Sequence, residues 1–108
     1  MLYTPQFRAA LNALPRLHET EGQGLDAIAQ IRLDAFDICW TWYLVEFDGN
    51  DTLYGLSCGL EAEIGYVSLH ELVEFRDTMS LPVEQDMHFK PTPIRAILQR
   101  YQFDNSYL

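Results

Sequence analysis

Hydrophobic and polar residues alternate with the period of a β-strand through much of the middle of the chain. Ala29, Ile31 and Leu33 alternate with polar neighbours, which predicts a half-buried strand. As a strand, the segment 40–47 would have two largely apolar faces. One face carries Trp40, Trp42, Leu44 and Glu46, and the other carries Thr41, Tyr43, Val45 and Phe47. A strand that is apolar on two faces is typical of a central position in a sheet.

Further strands are predicted on either side of turn-forming residues. Residues 48–51 read Asp-Gly-Asn-Asp, which is typical of a tight turn, and 52–57 should be the returning strand of a hairpin. Gly55 and Gly59 leave room for a bulge or close packing. Residues 64–67 predict another short strand, and the alternation over 83–89 predicts a last one.

Three helices are predicted from their start signals. Thr4-Pro5 and Thr92-Pro93 each combine an N-cap residue with a first-turn proline, and Ser68 with Glu71 forms a capping box. Apolar residues then recur at helical spacing, which predicts helices near residues 5–14, 69–77 and 93–101.

These elements predict a single α+β domain over residues 1–108, with a mostly antiparallel sheet of four or five strands and about three short helices. Trp40 and Trp42 share one face of the central strand. An exposed pair would be an aromatic anchor for a partner, but we expect these large side chains in the core.

Charge is distributed unevenly along the chain. The formal net charge is -9, and residues 33–75 contain nine acids and neither Lys nor Arg. Concentrated like charge is destabilising unless a positive surface meets it, so we expect a basic protein partner. An ordinary solvated acidic surface is the alternative. Direct binding to nucleic acid or to a membrane is not expected, because phosphate contacts require Lys or Arg and only seven are present.

Five acids of this stretch are the predicted partner-binding residues, and we call them the predicted acidic group: Glu46, Asp48, Asp51, Glu61 and Glu63. Acids two apart on a strand lie about 6 to 7 Å from each other on one face, a spacing that a phosphate-binding groove could accept. Asp48 and Asp51 fall in the predicted turn, so folding should tolerate their reversal to Lys.

Candidate catalytic and metal-binding residues are few. Glu84, Asp86 and His88 would share one face of the last strand and could ligate a divalent ion, but a solvated strand face is the favoured interpretation. No catalytic residue, metal or cofactor is therefore predicted. Cys39 and Cys58 are interpreted as reduced, buried thiols, and with no targeting signal the protein is expected in the cytoplasm.

Several segments together resemble a known bacterial family. They include Trp40-Thr41-Trp42-Tyr43, Glu46-Phe47-Asp48-Gly49, Tyr54-Gly55-Leu56, and the run Glu61-Ala62-Glu63-Ile64-Gly65-Tyr66-Val67-Ser68-Leu69. From about Leu14 onward the chain resembles domain of unknown function 2958. The resemblance implies a plasmid or other mobile-element setting, and no activity or catalytic residues.

We therefore expect an acidic protein that binds a basic protein surface, with imitation of nucleic acid against a host restriction or CRISPR complex as the sharper form. The first alternative is a small metal-dependent or otherwise unrecognised enzyme, although enzymatic activity is not favoured. The second is a homo-oligomeric accessory protein in which the aromatic strand closes a dimer.

Overall fold

A computed structural model describes residues 4–79 and 83–105 and confirms the α+β class. The helices are α1 (Pro5–Ala13), α2 (Leu69–Met79) and α3 (Ile94–Asn105), with short 3₁₀ helices at Glu21–Asp26 and Phe36–Ile38. The strands are β1 (Ile28–Ala29), β2 (Ile31–Ala35), β3 (Trp40–Phe47), β4 (Thr52–Cys58), β5 (Ala62–Ser68), β6 (Glu84–Gln85) and β7 (Thr92–Pro93).

The main sheet is antiparallel and has five strands in the order β5-β4-β3-β2-β6. The predicted hairpin of β3 and β4 is confirmed, with Trp42 paired with Ser57, and β3 is the central strand of the sheet. The strand predicted around residues 29–33 is divided at Gln30. Its first part, β1, pairs with β7 in a separate two-stranded sheet, and its second part, β2, pairs with β3.

A β-bulge between Leu44 and Glu46 reverses the parity of the central strand. Before the bulge, the face that carries Trp42 and Leu44 follows simple alternation. After the bulge, Phe47 joins this face, and Glu46 turns to the opposite side with its pairing partner Tyr54. The predicted grouping of Glu46 with the tryptophans is therefore wrong, because one extra residue shifts the side-chain period.

The sheet buries one apolar cluster on each face. We call the first the α1/α2 face, where Phe7, Leu11, Leu69 and Leu72 of the two helices pack on Trp42 and other sheet residues. We call the second the α3 face, which contains Ala27, Ala29, Val45, Leu56, Cys58, Ile94 and Ile97. Trp42 is buried, as predicted, and Trp40 is half-buried and stacked beside it with ring centroids 6.3 Å apart.

Both glycines of β4 and its following turn permit close packing, as the sequence predicted. A Cβ atom on Gly55 would lie 2.0 Å from the backbone oxygen of Tyr43, immediately before the bulge. A Cβ atom on Gly59 would lie 2.6 Å from the indole ring of Trp40. Both distances are shorter than van der Waals contact, so these positions accept only glycine without rearrangement.

Two helix starts agree with their sequence signals and one does not. Thr4 Oγ1 accepts the Phe7 N–H at 3.1 Å, and Ser68 Oγ accepts the Glu71 N–H at 3.2 Å. Thr92 instead belongs to β7 and donates its hydroxyl to the Lys90 carbonyl at 2.7 Å. Thr92 pairs with Ala29 of β1 and does not cap the helix, and α3 begins at Ile94.

Candidate functional site

The structure removes Glu46 from the predicted acidic group. Its side chain is only 2% exposed and lies under the loop that contains His18 and Thr20. Glu46 Oε1 accepts the His18 N–H at 2.9 Å, and Oε2 accepts the Thr20 N–H at 2.9 Å and the Thr20 hydroxyl. The carboxylate therefore binds the loop to the sheet and is not available to a partner.

Hydrogen bonding determines the charge state of Glu46. Burial raises the pKa of the Glu46 carboxyl. The hydrogen bonds from the hydroxyl and N–H of Thr20 and from the N–H of His18 together lower this pKa by more than burial raises it, so the net shift is downward. A small cavity of about 100 Å³ opens beside this carboxylate, lined also by His18, Tyr54 and Tyr66. Because three donors already occupy the carboxylate, its role in the fold is structural.

Asp48 holds the turn between β3 and β4. Its Oδ1 accepts the backbone N–H groups of Asn50, Asp51 and Thr52 at 2.8, 2.8 and 3.0 Å. These bonds stabilise the ionised form, chiefly the one from Asn50, and lower the pKa of the Asp48 carboxyl. The side chain is exposed, yet its carboxylate organises three consecutive peptide groups.

Asp51 connects that turn to the start of α2. Its Oδ2 accepts the Ser68 hydroxyl at 2.7 Å, and its Oδ1 accepts the His70 N–H at 2.7 Å. The Ser68 hydroxyl, followed by the His70 N–H, lowers the pKa of the Asp51 carboxyl. Both carboxylates accept backbone hydrogen bonds that an ammonium group cannot accept. The structure therefore predicts that reversal of Asp48 and Asp51 to Lys destabilises this turn, contrary to the expectation from the sequence.

Glu61 and Glu63 are the members of the predicted acidic group whose side chains are exposed and form no hydrogen bond or ion pair within the described part of the chain. Glu61 lies in the turn before β5, and Glu63 lies on β5 opposite Ser57. Three large apolar side chains are exposed on the same turn and strand: Leu60 at 95%, Ile64 at 42% and Tyr66 at 59%.

These five residues define a surface that we call the β5 edge: Leu60, Glu61, Glu63, Ile64 and Tyr66. β5 is the outermost strand on its side of the sheet, so its backbone is paired with β4 alone among the described strands. The Tyr66 ring packs on Tyr54, with centroids 5.3 Å apart, and this contact limits its freedom while leaving it exposed. The β5 edge can offer negative charge, apolar area and unpaired backbone groups to one partner.

The candidate metal residues do not share a strand face. The predicted strand over 83–89 is reduced to Glu84–Gln85, and a turn follows in which Asp86 Oδ1 accepts the His88 N–H at 2.9 Å. Within residues 4–79 and 83–105, no three His, Cys, Asp or Glu side chains are grouped so that they could hold a metal ion. The strand that would have aligned Glu84, Asp86 and His88 is therefore absent from this part of the structure.

The two cysteines lie in different environments. Cys58 is buried, as predicted, and burial raises the pKa of its thiol to about 11, so the thiolate form is disfavoured. Cys39 is exposed, so its predicted burial is wrong. It occupies a left-handed conformation with φ of 54° at the end of the 3₁₀ helix Phe36–Ile38.

Comparison with known proteins identifies the family. The family model described as "Protein of unknown function (DUF2958)" matches residues 2–101. The chain belongs to this family. The resemblance predicted from the sequence is thus confirmed, and it extends further toward the N-terminus than predicted. No curated protein and no solved structure matches the chain. No helix among the described residues of this DUF2958 protein is long and apolar enough to cross a membrane.

This DUF2958 protein also has a pocket lined by basic residues, which the sequence did not predict. A pocket of about 480 Å³ lies against the α3 face, and its lining includes three of the seven Lys and Arg residues, namely Arg32, Lys90 and Arg100. Arg32 is far from the other two in sequence, and the fold brings it beside Lys90 and Arg100 in the lining of one pocket. The absence of Lys and Arg from residues 33–75 was the available signal, since it implies that positive charge is concentrated elsewhere.

Proposed function

We propose that this protein binds a basic protein surface through the β5 edge. The observation that supports this most directly is the placement of free carboxylates and exposed apolar side chains together on an outer strand. Glu61 and Glu63 supply charge, and Leu60, Ile64 and Tyr66 supply area that is otherwise left in water. Large apolar side chains left exposed beside charged ones are typical of protein-interaction sites.

Charge complementarity specifies the partner. The chain carries a net charge of -9, and no Lys or Arg occurs between Leu33 and Phe75, the segment that contains the whole β5 edge. A Lys- or Arg-rich surface would be attracted at long range and oriented on approach. Tyr66 is suited to anchor the contact, because tyrosine buries a large area and is enriched at binding hot spots.

The mode of contact follows from the position of β5. An outer strand with unpaired backbone groups can accept an extended segment of the partner as an additional strand, with side chains alternating above and below. Such a segment would place its basic residues opposite Glu63 and its apolar residues near Ile64 and Tyr66. Main-chain hydrogen bonds would supply affinity, and the acids would select for a basic segment.

Inhibition of a restriction or CRISPR complex is the narrower form of this proposal. The acidic character of the chain and the mobile-element resemblance of its sequence support it. Imitation of a phosphate backbone, however, requires a row of free carboxylates. Glu46 is buried, and Asp48 and Asp51 accept backbone hydrogen bonds. We therefore favour recognition of a basic segment at the β5 edge, with competition against nucleic acid as a consequence of shared basic residues.

Self-association through the same surface is less favourable. Two copies paired edge to edge would bring together two surfaces that each carry Glu61 and Glu63 and neither Lys nor Arg, and concentrated like charge is destabilising. A basic partner avoids this repulsion. The accessory homodimer expected from the sequence would instead close through the aromatic strand β3, which lies at the centre of the sheet between β2 and β4.

The test uses two charge-matched double variants of the full chain. Glu61→Lys with Glu63→Lys reverses the β5 edge, and Glu19→Lys with Glu84→Lys reverses two exposed acids elsewhere, so both variants have the same net charge. A partner captured from a bacterial lysate is identified and purified, and its dissociation constant is measured across a salt series. We expect weaker binding with salt, a loss of at least about tenfold in the β5-edge variant, and near-parental binding in the control.

A third variant tests the apolar part of the surface. Tyr66→Ser leaves the charge unchanged and should also weaken binding if the partner lies on β5. Equal affinity in both double variants would show that only the overall charge matters. Binding by the parent that does not change with salt would contradict a basic partner. Circular dichroism establishes that each variant is folded before the affinities are compared.

A further inference from the structure

The pocket on the α3 face concentrates positive charge in a strongly acidic protein. Arg32, Lys90 and Arg100 line it, and Asp86 is the acidic side chain in the lining. The Asp86 carboxylate accepts the His88 N–H, so part of its hydrogen-bonding capacity is already used. Within the described residues, Lys90 and Arg100 form no ion pair, although acids outnumber bases 16 to 7 in the chain. Arg32 is ion-paired with Asp34, so Lys90 and Arg100 supply the positive charge of the pocket that attracts an anion.

Arg32 is held in a fixed orientation. Its Nε donates to Asp34 Oδ1 and Oδ2 at 3.2 and 3.0 Å, and its Nη2 donates to Oδ1 at 3.0 Å. Asp34 is buried and also accepts the Thr41 hydroxyl at 2.8 Å. The remaining Nη1 group and one proton of Nη2 can bind a ligand, and the guanidinium pays little additional entropy because Asp34 already orients it.

Aromatic rings form part of the same pocket. The Tyr43 and Phe89 rings lie with their centroids 5.7 Å apart, and both line the cavity. The Arg32 guanidinium lies 5.5 Å from the centroid of the Tyr43 ring. Cationic groups beside half-buried aromatic rings suit a ligand that combines negative charge with a planar group.

We propose that this pocket binds a small organic anion that carries phosphate or carboxylate groups beside a planar ring. Arg32, Lys90 and Arg100 would bind the anionic groups, and Tyr43 and Phe89 would pack against the ring. The volume of about 480 Å³ is within the roughly 300–1,000 Å³ range of small-molecule sites. This inference is independent of the proposed β5-edge function, because β5 and β2 are separated by two strands of the sheet.

The test is calorimetric titration of the full chain with four probes. Adenosine monophosphate combines phosphate with a planar ring, benzene-1,3,5-tricarboxylate combines carboxylates with a planar ring, pyrophosphate has charge alone, and adenosine has a ring alone. We expect salt-sensitive binding of at least one of the first two, weaker binding of pyrophosphate, and none of adenosine. Preference between the first two probes identifies phosphate or carboxylate as the recognised group.

A matched pair of variants locates the binding. Arg100→Ala removes a pocket cation, whereas Arg95→Ala removes an exposed arginine of the same helix that pairs with Asp26 outside the pocket. Arg100→Ala should weaken binding by roughly tenfold or more, and Arg95→Ala should leave it unchanged. The inference is overturned if none of the anions binds the parent at millimolar concentration, if adenosine binds as well as its monophosphate, or if the two variants lose affinity equally.

Discussion

Trp42 is the tryptophan among the buried residues of the α1/α2 face. It is 7% exposed, pairs with Ser57 across the hairpin and belongs to the same buried cluster as Phe7, Leu44 and Leu69. Burial at this position explains why two tryptophans can share one strand face without forming an exposed anchor. Trp40, at the strand end, is half-buried and packs on Gly59.

Truncation of Trp42 tests this assignment. Trp42→Ala should lower the free energy of unfolding by about 3–5 kcal/mol, because it removes a buried ring and leaves a cavity. Leu60→Ala is the control, since Leu60 is 95% exposed and its truncation should change stability by less than about 0.5 kcal/mol. Urea denaturation measures both. A Trp42→Ala protein as stable as the parent would show that the ring does not support the core.

The sequence predicted the burial of Trp42 but not the roles of the acids. Glu46 was predicted as a surface charge because a bulge cannot be read from simple alternation, and because its donors lie in a loop 26 to 28 residues away. Glu61 and Glu63 were predicted correctly to be exposed, because a turn and an outer strand leave acids in water. The sequence pattern therefore located the acidic residues, but contacts between distant segments determine which carboxylates are exposed to solvent and which accept internal hydrogen bonds.

At the level of elements, the turn after β3 and the start of α2 form one unit. The Asp51 carbonyl accepts the Leu69 N–H at 2.8 Å, and the Asp51 carboxylate accepts the His70 N–H and the Ser68 hydroxyl. These bonds satisfy donors at the first turn of α2, where no intrahelical acceptor exists. Asp51 thus acts as a helix cap from 17 to 19 residues away.

Removal of this cap should loosen α2. Asp51→Ala should destabilise the protein by about 0.5–2 kcal/mol, the usual cost of losing a helix cap. Glu61→Ala provides the comparison, since Glu61 also lies in a turn between strands but its side chain forms no hydrogen bond within residues 4–79 and 83–105. Thermal unfolding followed by circular dichroism measures the difference. Equal melting temperatures for the two variants would argue against the cap.

Prediction of the elements succeeded where the signals were local. Thr4-Pro5, the N-cap at Ser68 and the hairpin turn at 48–51 depend on neighbouring residues, and the structure contains all three features. Of the predicted capping box, the bond from the Glu71 N–H to the Ser68 hydroxyl is present. The alternation over 83–89 predicted too long a strand, because only Glu84 and Gln85 pair with β2 and the Asp86 turn ends the strand. Thr92 was misassigned because β1, distant in sequence, pairs with β7.

Over the whole molecule, the fold separates the two kinds of charge. The β5 edge carries Glu61 and Glu63 at one side of the sheet, whereas Arg32 lies on β2, next to the opposite edge strand β6. The net charge can be calculated from the composition. The position of the charges on the surface depends on the fold, because Arg32, Lys90 and Arg100 lie in different elements and meet in one pocket. The basic protein and the small anion that we propose as ligands would therefore bind at different places on one chain.

Buried and hydrogen-bonded carboxylates should also make the molecule sensitive to acid. Hydrogen bonds lower the pKa values of Glu46, Asp48 and Asp51 in the folded state, so the unfolded chain binds more protons as the pH falls. The stability that these groups contribute is present above their unfolded pKa values. It is lost as the pH falls through the lowered folded values, a loss that begins below about pH 4.5.

Glu46→Gln isolates the buried member of this set. The variant keeps the shape of the side chain but cannot ionise, and its amide directs a donor toward the N–H groups of His18 or Thr20. We expect a loss of about 1–3 kcal/mol at neutral pH and a shallower decline in melting temperature between about pH 5 and 3 than in the parent. Glu63→Gln, an exposed carboxylate on β5, should leave both quantities close to the parental values. Parallel declines in the parent and in Glu46→Gln would mean that Glu46 does not contribute to acid sensitivity, and that its bonds to Thr20 and His18 do not favour the ionised form.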